Sequence, residues 1–243
     1  VEEVLGRDTA PNIADLSQRA SLGIAGHIFD RLQIDKVVSD GDDDDESLGK
    51  LLEIGVEGHL ADCFRDSQRC SAWNVRRNSK IWDFWQYSHI RELREAADNY
   101  ADIRDLIAAD YLIDPDVTID VPGRYGRVLR AVVSCKWTIR SDRAQNVRHE
   151  FNSLIRSRRG RAPHLVAVTA EPLPSRLSAL TQGMGEIDAV YHVAYELLRE
   201  AVSEYTPLSP RRGEKSQREH LDAMIKTGRL RDYRDLVDDI LAE

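Results

Sequence analysis

Residues 128–140 read VLRAVVSCKWTIR, and residues 111–121 read YLIDPDVTIDV. Both stretches are rich in β-branched residues and alternate with a period of two, so each predicts a strand. Gly123, Tyr125 and Gly126 supply the turn between them. Ser141 or Asp142 is placed to cap a helix running to about Ser157, and residues 165–170 (LVAVTA) predict a buried strand after it. Strand, helix and strand in that order predict a right-handed crossover, with a basic helix beside a mixed sheet. Along the 128–140 strand the pleat puts Ser134, Lys136, Thr138 and Arg140 on a polar face, and Val133, Cys135, Trp137 and Ile139 on a core face.

Upstream the period lengthens to that of helices. Residues 1–21 hold few apolar anchors and contain Pro11, so they read as an arm. Leu22, Ala25, Ile28, Phe29 and Leu32 then form a helical stripe, and Leu48, Leu52, Val56, Leu60 and Phe64 form a second. A long third helix is predicted over 82–109, with Ile90, Leu93, Ala97 and Ile107 on one side. The run DGDDDDE at 40–46 repels itself and reads as a solvated loop. Downstream, a helix is predicted near 187–202 and a polar helical tail over 210–243. No internal repeat is visible. The expectation is a single α/β domain over 1–243, a mixed β-sheet flanked by helices.

The 243 residues are 42% hydrophobic and 31% charged, which excludes a disordered, collagenous or disulfide-scaffold chain. No apolar run approaches the ~18 to 20 residues of a membrane span, and no secretory pattern opens the sequence. The chain starts at Val1, so an initiator or short leader is expected before it. Cys63, Cys70 and Cys135 are odd in number and lack a CxxC spacing, which fits reduced thiols and a cytoplasmic location. The net charge of −8 hides an asymmetry. Residues 124–161 carry eleven basic against two acidic residues, a net of +9, while the remainder carries 23 against 40, a net of −17. An acidic body with one basic segment fits a polyanion partner.

A lysine in a strand that looks central needs a carboxylate or an anionic ligand, because an unpaired buried ammonium costs on the order of several kcal/mol. Asp116, after Pro115, lies twenty residues before Lys136 on the preceding strand, and Glu150 lies fourteen after it on the next helix. Glu53 flanks the second apolar stripe. Carboxylates with one lysine are what Mg²⁺-dependent phosphodiester hydrolysis requires: oxygens to hold the ion, and a positive charge beside the attacking water and the phosphate. Pro-Asp is equally a common turn pair. At the start of the next helix, Arg140 and Arg143 can direct forks at guanine O6 and N7, and Asp142 can accept from cytosine N4; an Arg–Asp surface pair is the alternative. His59 and Cys63 with Cys70 lack a fourth zinc ligand. Gly183-Met184-Gly185 lacks the strand and helix of a nucleotide fingerprint. No Walker loop or nucleophile triad is present, so neither a nucleotide cofactor nor a membrane is expected.

A longer pattern joins these elements. SCKWTIRSDRAQN at 134–146, TAEP at 169–172 and GEID at 185–188 resemble the NgoMIV family of type II restriction endonucleases, with weaker anchors at QYSH (86–89), Pro115-Asp116 and 49–53. The resemblance implies the restriction-endonuclease-like PD-(D/E)xK core, in which Ser134 replaces the acid expected before the lysine and Glu150 takes over its role. It implies Asp116 and Glu150 as Mg²⁺ ligands, Lys136 as catalytic lysine, and Ser134 and Glu53 as supporting residues. Arg140, Asp142 and Arg143 would read CCGG in double-stranded DNA, and Arg176 with Asp15 the outer pair of GCCGGC, cut to leave four-base 5′ extensions. Arg156, Arg158, Arg159 and Arg161 would serve phosphates, or equally complement the helix C-terminus. A palindromic site implies at least a homodimer. Some members pair dimers into tetramers through the segment between the Pro-Asp and SxK motifs. Here that segment is nineteen residues long, 117–135, which favours the dimer. A repair or junction nuclease on the same core and a DNA-binding regulator with a silent site are the alternatives.

Overall fold

The structure is a computed structural model that describes residues 15, 17–33, 44–66, 72–97, 113–183, 185–205 and 216–242. Its elements are α1 (Arg19–Leu32), α2 (Asp44–Asp66), β1 (Asn74–Arg76), α3 (Ser88–Ala97), β2 (Val117–Gly123), β3 (Gly126–Lys136), α4 (Ser141–Ser157) and β4 (His164–Thr169). They continue with α5 (Pro174–Thr181), β5 (Ala189–His192), α6 (Tyr195–Glu204), α7 (Gln217–Lys226), β6 (Leu230–Asp232) and α8 (Leu236–Ala242). The six strands lie in sequence order. β1, β2 and β3 pair antiparallel, and β3 to β6 pair parallel. This is an α/β fold on a mixed sheet.

Two apolar layers cover the sheet. One joins α1, α3, α4, α5, α6 and α7 to Leu129, Val132, Leu165, Ala167 and Val190. The other joins α2 and α8 to Val117, Ile119, Ala131, Val133, Cys135, Val166, Val168 and Tyr191. β4 is therefore buried on both faces, which is why LVAV runs apolar without alternation. No helix among the described residues is long and apolar enough to cross a membrane.

β3 differs from its expected form in three ways. It ends at Lys136, so Thr138 and Arg140 do not extend the Lys136 face. A bulge leaves Arg130 without a partner, since Ile119 faces Ala131 and Asp120 faces Leu129. That extra residue reverses the alternation and sends Leu129 and Ala131 into opposite layers. Both faces are consequently packed from Ala131 onward, where the polar side chains of β3 are those of Ser134 and Lys136 at its end. The Gln86 amide holds the bulge: it donates to the Leu129 carbonyl at 2.7 Å and accepts from the Leu129 N–H at 2.9 Å.

Other boundaries move for local reasons. β2 starts at Val117, beyond Pro115, which has no N–H for a ladder, and residues 113–116 are not strand, while 111 and 112 lie outside the described residues; Asp116 thus precedes the strand. In place of one long helix from Trp82 there are two 3₁₀ turns, Ile81–Asp83 and Trp85–Tyr87, around an extended Phe84, and then α3. Leu93 on α3 is 50% exposed, and 98–109 lie outside the described residues. Neither Ser141 nor Asp142 caps α4: the N-cap is Arg140, extended and without a side-chain cap bond. The helix expected from Ile187 is instead β5 followed by α6, and the C-terminal tail contributes β6 as well as helices. α2 begins at Asp44, so Asp44 to Glu46 are helical while 40–43 lie outside the described residues, as does most of the N-terminal arm.

Candidate active site

Val117 pairs with Val133, which brings Asp116, one residue earlier, beside Ser134 at the end of β3. One oxygen of Asp116 gathers three donors. Oδ2 accepts from Lys136 Nζ at 2.7 Å, from the Cys135 N–H at 2.7 Å and from Ser134 Oγ at 3.2 Å. The three bonds hold the carboxylate in one orientation and leave Oδ1 outside them. Lys136 is 22% exposed and Asp116 20%, so the pair is reached by solvent rather than sealed in the core. Burial disfavours the lysine charge, yet Asp116 and then Glu150 outweigh it and raise the Lys136 pKa above its ordinary value. The ammonium therefore stays protonated at neutral pH.

Glu150 and Glu53 approach from opposite layers, the first on α4 and the second on α2. Burial raises both carboxyls above the usual range; at Glu150 Lys136 opposes the rise and Asp116 adds to it, and at Glu53 the Asp116 charge adds. Carboxylates held near one another and pushed toward protonation favour a cation among them. Among the described residues no group of three or more His, Cys, Asp or Glu side chains is placed to hold a metal ion alone. A donor set of one or two carboxylates, completed by phosphate oxygens and water, is what Mg²⁺ uses. Asp116 and Glu150 fit that requirement. His59 Nε2 lies 3.5 Å from Cys63 Sγ and its Nδ1 3.1 Å from the Tyr233 hydroxyl, while Cys70 lies outside the described residues.

Beyond Lys136 the chain leaves the sheet and enters α4 with Arg140 and Asp142 exposed. Arg143 Nη1 donates to Thr138 Oγ1 at 3.0 Å, which braces its guanidinium against the segment that links β3 to α4. Arg176, near the start of α5, forms an ion pair with Asp15 across 161 residues of chain. The Ser17 hydroxyl and N–H bond to Asp15 Oδ1, and they, Arg176 and Arg140 together hold its carboxyl below the usual range despite some burial. Arg140, Arg176 and Asp15 thus share one electrostatic neighbourhood. The basic run at the other end of α4 is placed differently. Seventeen residues of helix separate it from this neighbourhood, about 25 Å, and the Arg158 guanidinium donates to the Ile155 carbonyl of the helix terminus.

Glu171, quoted above only inside TAEP, is 1% exposed and takes two backbone N–H bonds, from Ile139 at 2.8 Å and Leu173 at 3.0 Å. No sequence signal singles it out, because its partners are main-chain groups.

A sequence model described as NgoMIV restriction enzyme matches residues 1–124 and 120–241. The type II restriction enzyme NgoMIV of Neisseria gonorrhoeae is 37% identical over 219 residues, covering 76% of each chain. A solved complex of restriction endonuclease PspGI with substrate DNA aligns at 18% identity and a TM-score of 0.29, over 46% of this chain and 39% of the other. A pre-specific complex of restriction endonuclease BsaWI with DNA aligns at 11% identity and a TM-score of 0.35, over 76% and 61%. This chain spans less than two thirds of either solved structure.

Proposed function

The chain belongs to the NgoMIV restriction enzyme family and is a type II restriction endonuclease; we propose that it cuts double-stranded DNA in a Mg²⁺-dependent reaction at palindromic sites with a CCGG core, GCCGGC in full, leaving four-base 5′ extensions. The observation that carries the chemistry is the convergence of Lys136, Ser134 and the Cys135 N–H on Asp116 Oδ2, with Glu150 and Glu53 beside it. Asp116 and Glu150 would hold the ion. When bound, Mg²⁺ supplies the positive charge that polarises the phosphate and makes water a better nucleophile. Lys136, kept charged by Asp116, faces the developing charge on the phosphate and the attacking water. Ser134 and the Cys135 N–H fix the orientation of Asp116, so the cost of ordering that carboxylate is met before DNA arrives. Glu53 adds negative charge on the other side and helps retain the cation.

Recognition belongs to the segment that follows the catalytic strand. Arg140 and Arg143 supply donors for guanine, Asp142 an acceptor for cytosine, and the Asp15–Arg176 pair reads the outer base pair. The short path from β3 to α4 supports this reading, because cutting and reading then share one rigid connection.

Plasmid digestion tests the proposal. Purified protein with Mg²⁺ should give discrete fragments, EDTA should abolish them, and Lys136→Ala should lower cleavage roughly a hundred- to a thousandfold while specific binding persists. Structure-specific nicks would indicate a repair nuclease, and binding without cutting a regulator. Unchanged cutting by Lys136→Ala would remove the lysine from the chemistry.

A further inference from the structure

We infer that Glu171 is a positioning residue for base readout, a single buried carboxylate that sets the two reading segments at a fixed distance from one another. Its Oε2 accepts the N–H of Ile139, the residue before Arg140, and its Oε1 accepts the N–H of Leu173, the N-cap of the helix that carries Arg176. Both donors need such a partner. Ile139 lies beyond the end of β3, where its N–H has lost the ladder, and Leu173 stands at a helix start, where N–H groups have no intrahelical acceptor.

The Glu171 main chain is itself held on both sides. The Glu171 N–H donates to Thr169 Oγ1 at 3.1 Å, and the Glu171 carbonyl faces His192 Nε2 at 3.1 Å. The Ala194 N–H donates to His192 Nδ1, so the ring proton belongs on Nε2 and points at that carbonyl. Ala170 N–H reaches the Trp137 carbonyl at 3.2 Å, tying the same stretch to the chain just after Lys136. The frame at the ends of β4 and β5 therefore transmits through Glu171 to Arg140, Asp142 and Arg143 on one side and to Arg176 and Asp15 on the other.

Two N–H donors on two oxygens are what a carboxylate satisfies. An ionised glutamate offers two acceptor oxygens, whereas glutamine offers one oxygen and an NH₂ that would face an N–H. Glu171→Gln keeps the shape and releases one of the two segments.

The inference rests on the reading segments proposed above, and the test separates the two. The wild-type site is first read from fragment ends, whatever its sequence. Cleavage is then measured on that site and on its single-base variants for wild type and Glu171→Gln, with binding ratios taken in a Lys136→Ala background as a readout independent of cutting. Discrimination should fall about tenfold, with the salt dependence of non-specific binding unchanged. A discrimination ratio within twofold of wild type, with all rates lowered together, would overturn the inference and leave Glu171 as a fold residue only. Should Glu171→Gln fail to fold, Glu171→Asp, which keeps the charge but is one methylene too short to span both donors, is read by the same two outcomes. A wild-type site lacking CCGG would refute the proposed specificity, while the discrimination ratio on the site found would still decide the role of Glu171.

Discussion

Glu171 and His192 touch, and burial pushes their titrations in opposite directions. Burial lifts the Glu171 carboxyl from 4.5 to about 7, against the Ile139 and Leu173 N–H groups that favour its charge. Between those values the folded chain keeps a proton that the unfolded chain has lost. The associated stability is complete below pH 4.5 and is lost as pH rises through about 7, on the order of 3 kcal/mol. Burial lowers His192 from 6.5 to about 4, so its contribution is complete above 6.5 and is lost as pH falls toward 4. The two slopes oppose each other, and wild type alone conceals them. The difference in unfolding free energy, Glu171→Gln minus wild type, should therefore climb as pH is raised from 4.5 to 7, measured by urea titration at each pH. A flat difference would mean that the carboxyl is charged throughout. Among single residues, Asp116 beside Lys136 is legible, because a strand lysine demands a nearby anion and Pro-Asp stands just ahead of the preceding strand, which pairs with the lysine's own. Glu171 is not legible, since a carboxylate bonded to main chain leaves no partner residue in the sequence to find. Asp15 and Arg176 needed the family resemblance, because no local spacing relates residues 161 apart.

On the proposed reading α4 joins cutting to base recognition, and its two ends predict different phenotypes. Alanine at Arg140, Asp142 or Arg143 would remove a proposed base contact and should cost ~1 to 3 kcal/mol of discrimination each, read as relative cleavage of single-base variant sites. Arg158 instead donates to the Ile155 carbonyl at the far terminus. Arg158→Ala should lower stability by about 0.3 to 1 kcal/mol with sequence preference unchanged. A loss of discrimination in Arg158→Ala would reverse this assignment of the two ends. Elements with many residues and a clear period, such as α2 and β3, are legible from sequence. β5 and β6 are not, because strands of four and three residues are too short to show an alternation, and AVYH is buried at every position. The bulge at Arg130 is equally hidden. Its signature is that Leu129 and Ala131, both buried, face opposite layers, which two apolar residues in the sequence do not announce.

The described residues present one candidate active site per chain, while a palindromic duplex offers two strands related by a two-fold axis. We expect a homodimer in which each copy reads one half-site and cuts one strand. Strands β2 and β3 take up the connection between Asp116 and Lys136 except for Arg124 and Tyr125 at the hairpin tip. That leaves a minimal tip for a tetramer contact, so one-site and two-site plasmids should be cut at equal rates and light scattering on DNA should give a dimer mass. A tetramer mass with faster two-site cutting would contradict this. The acidic body does not argue against a DNA partner, since the strongest concentration of positive charge lies in the same 124–161 stretch that contains Lys136 and the arginines proposed to read bases. If the site cuts where Arg140, Asp142 and Arg143 read CCGG, sequencing the fragment ends of a Mg²⁺ digest of plasmid DNA should give ends that all carry a four-base 5′ CCGG extension flanked by the outer G·C pair; ends that share no CCGG would contradict the proposed specificity.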